Sequence, residues 1–91
     1  MAKSRLVNTR FWSDPRVMDL EPLEKLLYIY LITNEKTDLC GIYEIHIKTI
    51  CLQTGLNQEL VASVLDKFVA YGKIKRYKDY IYIVNFAKNQ I

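Results

Sequence analysis

An α+β fold is predicted by three features of this chain: a helix-turn-helix spacing in ICLQTGLNQELVASV (50–64), a β-rich tail from Lys73 to Phe86, and an amphipathic run opened by Pro22. In the first, Cys51 is small and precedes Gly55 by four residues, while Leu56, Val61 and Val64 follow at the spacing that faces a first helix. Gly55 takes up the left-handed turn conformation cheaply, Asn57 is a good N-cap, and Leu56 and Val61 flank that cap as a hydrophobic staple.

The remaining elements follow in order. An extended start around Leu6 to Asn8 leads to Phe11 and Trp12, read as core anchors of an N-terminal arm, and to a short helical turn that Asp14 caps and Pro15 opens. Pro22 begins a helix to about Thr33, with Leu23, Leu26, Leu27, Tyr30 and Leu31 on its apolar stripe and Glu21 paired with Lys25 on its outer face. Glu21 stands where Ser or Asp would cap better. Asn34 to Leu39 reads as a polar loop, residues 41–45 as a short strand, and residues 47–54 as the first helix of the motif.

The second helix runs from Gln58 to Tyr71, buries Leu60, Val61, Val64, Leu65, Phe68 and Val69, and stops at Gly72. Lys73–Tyr77 and Tyr80–Phe86 then form a hairpin around Lys78 and Asp79, a turn without the glycine that type I′ geometry favours, so another geometry or a bulge is expected. Helix, strand, helix, helix, hairpin is the order of a winged helix-turn-helix: a short first strand, three main helices and a C-terminal β-hairpin wing, plus an N-terminal arm over residues 1–20. No repeat or Gly/Ser/Pro-rich linker divides residues 1–91, which read as one domain.

Composition narrows the function. Ninety-one residues, half of them apolar, suit one core with a stability of about 5 to 13 kcal/mol. No run approaches the roughly 20 apolar residues of a membrane span, and MAKSRLVNTRFW has no signal-peptide core, so a cytoplasmic protein without membrane partners is expected. Two cysteines, Cys40 and Cys51, are too few for a disulfide framework and read as reduced thiols; one histidine leaves no four-ligand zinc set. His46 is expected to cap or to lie exposed, since no carboxylate or nucleophile is placed beside it in sequence. With no phosphate-cradling glycine loop and no paired nucleophile and base, neither catalysis nor a cofactor or metal is expected.

The net charge of +3 is unevenly spread. Residues 1–20 carry +2, residues 21–44 carry −3, residues 45–71 balance, and the last twenty carry +4 through Lys73, Lys75, Arg76, Lys78 and Lys88 against Asp79. Such polarity suits a nucleic-acid contact more than the total charge does.

The runs VNTRFWSDPRVMDLEPLEKLLYIYLITN, CGIYEI, TGLNQELVASVLDKF, YGKI and IYIVNF resemble the N-terminal domain of phage replisome organisers related to the primosomal protein DnaD. The resemblance spans nearly the whole chain and is most specific at NTRFWSDP and IVNF. It implies a winged-helix domain of a replication-initiation protein acting in a bacterial host, followed in such proteins by a linker and a second, helical domain. It also implies replication-protein partners, and self-association to which arm and wing contribute. The chain ends at Ile91, as an isolated domain or a short standalone reading frame would, and helicase-loader recruitment is not carried over. Cys51 stands where helix-turn-helix units prefer alanine.

Candidate DNA-binding residues follow from exposure and charge. On the second helix of the motif, Asn57, Gln58, Ser63 and Lys67 face outward, though Glu59 and Asp66 beside them would repel phosphate. In the wing, Lys73, Lys75, Arg76 and Lys78 lie beside Tyr77, Tyr80 and Tyr82, which alternation directs outward for base stacking or self-association. Lys48 and Thr49 can meet a DNA backbone near the start of the first helix. If all four wing cations bind phosphates, the slope of log affinity against log salt gains about 3 to 4. Single- and double-stranded DNA both remain open as targets. The competing readings are an oligomerisation or protein-interaction scaffold in primosome assembly and a winged-helix transcriptional regulator.

Overall fold

The computed structural model describes residues 7–37 and 41–84, so Leu6, Asp38, Leu39, Cys40, Phe86 and Lys88 of the sequence reading lie outside the described residues. Its architecture is α+β. A 3₁₀ turn (Thr9–Ser13) and helices α1 (Pro15–Met18) and α2 (Pro22–Thr33) precede strand β1 (Ile42–Glu44); α3 (Ile47–Thr54) and α4 (Gln58–Ala70) lead into β2 (Ile74–Tyr77) and β3 (Tyr80–Ile83). The three strands form one antiparallel sheet in the order β1-β3-β2. This arrangement is compatible with a winged helix-turn-helix.

Local chemistry explains the boundaries. Asn8 Oδ1 accepts from the Arg10 N–H at 2.8 Å and starts a 3₁₀ turn that the sequence reading did not resolve. Asp14 caps α1 as expected, accepting from the Arg16 N–H at 2.9 Å. The same carboxylate bonds the Arg16 guanidinium, which holds the Asp14 pKa below its usual value and raises that of Arg16. Asn57 caps α4 by accepting from the Leu60 N–H at 2.8 Å.

Gly55 has φ +81 and ends α3, and its amide donates to the Cys51 carbonyl at 2.9 Å. A Cβ built there meets nothing within 4 Å, so only the left-handed backbone resists a side chain. Gly55→Ala is therefore expected to cost about 1–2 kcal/mol, and Gly55→Asn less, in urea unfolding. Equal losses for the two variants would contradict a purely backbone origin.

The core draws on every element. Phe11, Val17, Leu27, Tyr28, Leu31, Ile32, Ile50, Val61, Leu65, Phe68, Ile74, Ile81 and Ile83 are all buried. An aromatic chain ties the first segment to the rest: Phe11 stacks on Tyr28 at 5.9 Å between centroids, and Tyr28 meets Phe68 edge-on at 5.6 Å. Trp12 departs from its expected role as a core anchor, being 57% exposed with one edge on Phe11 at 4.9 Å.

The buried stripe of α2 also differs from the expected one. Leu23 and Leu26 are exposed, and Tyr30 is only half-buried, whereas Glu24, Leu27, Tyr28, Leu31 and Ile32 face the core, a rotation of about one residue. The cause is Glu24. Its Oε1 accepts from the Glu21 N–H at 3.0 Å and its Oε2 lies 3.5 Å from Lys67 Nζ on α4, so both oxygens of this buried carboxylate are engaged. The expected Glu21–Lys25 pair is not among the ion pairs of the described residues. On α4, Val69 is exposed rather than buried.

Beyond α2, Asn34 and Tyr43 close a buried polar link. The Tyr43 hydroxyl donates to the Leu31 carbonyl at 2.6 Å and accepts from Asn34 Nδ2 at 3.0 Å, which anchors β1 to the end of α2. Burial, foremost, drives the Tyr43 pKa upward. The β2–β3 turn has two residues, with Tyr77 opposite Tyr80. Lys78, at φ +54, takes the left-handed position without glycine; since it alone among the described non-glycine residues has positive φ, the turn is not type I′.

Candidate nucleic-acid interface

Register and pleat decide which side chains the sheet presents. Across the three strands, Ile42 pairs with Tyr82 and Tyr82 with Lys75; one step along, Glu44 pairs with Tyr80 and Tyr80 with Tyr77. All six are exposed, while Tyr43, Ile74, Ile81 and Ile83 point the other way into the core. The outward tyrosines expected from alternation therefore form one continuous face with Ile42 and Lys75. Tyr77 is 70% exposed, and with Tyr80, Tyr82 and Ile42 it makes a contiguous rather than a scattered apolar surface.

The four basic residues expected to act together do not share this face. Lys75 lies on it and has no ion-pair partner among the described residues. Lys78 sits at its turn, with Nζ 5.5 Å from the Tyr77 ring centroid. Arg76 alternates to the opposite side of β2, where its Nη1 lies 3.5 Å from Asp66 Oδ1 on α4. Lys73 precedes β2, and its Nζ lies 5.2 Å from the centroid of Tyr28. Burial, chiefly, and then nearby Arg16 lower its pKa.

The outer side of α4 offers little positive charge. Gln58, Glu59 and Ser63 are exposed, with Gln58 and Glu59 lining a shallow depression beside Asn57 and Ala62. Asn57 spends its Oδ1 on the helix cap, Lys67 faces Glu24, and Asp66 faces Arg76. What remains is polar, with the carboxylate of Glu59 among it. Lys48 and Thr49 lie on the first turn of α3, Lys48 exposed and Thr49 half-buried.

One contact absent from the sequence reading is His46 with Asp79, Nδ1 to Oδ2 at 3.1 Å. The expectation that no carboxylate stands beside His46 held only along the chain; folding brings the hairpin turn to it. His46 does occupy the N-cap position of α3, though its side chain makes no cap hydrogen bond. Nothing local in the sequence signals this contact, because it depends on β3 pairing with β1, which sets Tyr80 opposite Glu44 and the turn beside His46.

Cys51 is a half-buried free thiol. No helix among the described residues is long and apolar enough to cross a membrane. Comparison of the chain with family profiles, with curated proteins and with solved structures returned no match.

Proposed function

We propose that this chain is a DNA-binding winged-helix domain of the phage-type replication-initiation or replisome-organiser class, without catalytic activity of its own. The order of its elements and the β1-β3-β2 sheet support the winged-helix reading, in which the β2–β3 hairpin is the wing. The observation that carries the DNA reading is the exposed face of Tyr77, Tyr80 and Tyr82 beside Lys75 and Lys78.

Aromatic rings on an open sheet stack bases of any sequence, and single strands expose the base faces that such stacking needs. Single-stranded DNA is therefore the favoured target. Lys75 and Lys78 supply the phosphate contacts, Lys48 can add one from α3, and Asn57, Gln58 and Ser63 give little or no sequence preference. The electrostatic share is smaller than four free cations would give. Two phosphate contacts correspond to a salt slope of about 1.4 on single strands, and Lys75→Ala with Lys78→Ala should remove that much in anisotropy titrations of a labelled oligonucleotide. An unchanged slope would count against the wing.

A second reading has its own support. Ile42 lies next to Tyr82, and Glu44 next to Tyr80, a mixture that suits a protein partner or a second copy as a scaffold in primosome assembly. Binding assays at low salt and sedimentation separate the two. Failure of both single- and double-stranded probes, together with a stable oligomer, would replace DNA binding with the scaffold.

A further inference from the structure

Glu44, His46 and Asp79 place one donor atom each within 4.8 Å of one another at the turn of the β2–β3 hairpin. They come from β1, the residue before α3, and the hairpin turn. Glu44 and His46 are two apart along extended backbone, so their side chains leave on the same side. The Ile45 N–H donates to the Asp79 carbonyl at 2.8 Å and fixes the turn against them.

We propose that this trio binds a divalent transition-metal ion of the zinc class. Imidazole nitrogen with carboxylate oxygens is a donor set that zinc accepts, at bond lengths of about 2.0–2.2 Å. Two ligands of one tetrahedral ion then lie about 3.3–3.6 Å apart. The His46 Nδ1 to Asp79 Oδ2 separation of 3.1 Å is close to that, so an ion fits between them with little movement. Glu44 is exposed and can swing in as third ligand, leaving the fourth position to water. Magnesium, which favours oxygen ligands in near-ideal octahedra, is a poor match. The ion would clamp the hairpin turn to the start of α3 and offset two carboxylates there.

The test is calorimetric titration of the 91-residue chain with zinc chloride in a non-chelating buffer, beside a variant carrying Cys40→Ser and Cys51→Ser. The expected result is saturable uptake of one ion by both proteins. His46→Ala and Asp79→Asn should each weaken it at least about tenfold, since losing a ligand costs no less than losing the group that orients one. No saturable uptake, uptake indifferent to both substitutions, or uptake abolished in the cysteine variant would overturn the site. Should either substitution prevent folding, the visible spectrum of the cobalt-loaded wild-type chain decides: bands of nitrogen and oxygen ligation support the trio, and a thiolate charge-transfer band refutes it.

Discussion

Phe11→Ala is expected to destabilise the fold by about 3–5 kcal/mol, a large part of what a domain of this size has to lose. Phe11 is 2% exposed and stacks on Tyr28, which in turn packs on Phe68 of α4. Removing the ring leaves a cavity between the N-terminal segment and α2, and strips Tyr28 of its partner. Trp12→Ala serves as the control. Because Trp12 is mostly exposed and touches the ladder by one edge, its loss should cost about 1 kcal/mol or less. Urea unfolding followed by far-ultraviolet circular dichroism measures both. Similar costs for the two substitutions would mean that the N-terminal segment is held by something other than the Phe11–Tyr28–Phe68 stack.

Tyr80→Ala and Tyr82→Ala should each weaken single-stranded DNA binding by about 1–3 kcal/mol, or roughly 5- to 150-fold, with the salt slope unchanged. The slope is the discriminating feature, because stacking releases no counterions whereas phosphate contacts do. Tyr80→Phe and Tyr82→Phe keep the ring and should bind nearly as well as the parent chain. If the alanine variants bind DNA normally but sediment as smaller species, the same face is a subunit contact. Circular dichroism must accompany the measurement, since both tyrosines also pair across the sheet with Glu44, Tyr77, Ile42 and Lys75.

The parts of this fold legible in the sequence are those decided within a few residues. Gly55 and Asn57 announce the turn and cap between α3 and α4 because one needs a left-handed backbone and the other an oxygen for an orphan amide. Pro15 and Pro22 mark helix starts for an equally local reason. The buried side of α2 was not legible. Eight of its twelve residues are Leu, Ile or Tyr, so apolar periodicity hardly discriminates, and the partner that lets Glu24 be buried, Lys67, lies on a distant helix. For the candidate site, the outward tyrosines followed from strand alternation. The dispersal of the basic residues did not, because Arg76 answers to Asp66 and Lys73 to Tyr28, neither of them near in sequence.

The buried link from Tyr43 to Leu31 and Asn34, together with the amide of Ile45 on Asp79, bears on how the tyrosine face would meet any ligand. A free two-stranded hairpin is floppy, and a ligand that orders it forfeits part of its affinity to that ordering. Here the middle of β1 is fastened to α2 through Tyr43 and the residue after it, Ile45, to the hairpin turn, so less ordering is left for a ligand to impose. Tight contact with few charges is then thermodynamically accessible, and Tyr43→Phe becomes a way to soften a surface that the mutated residue never touches.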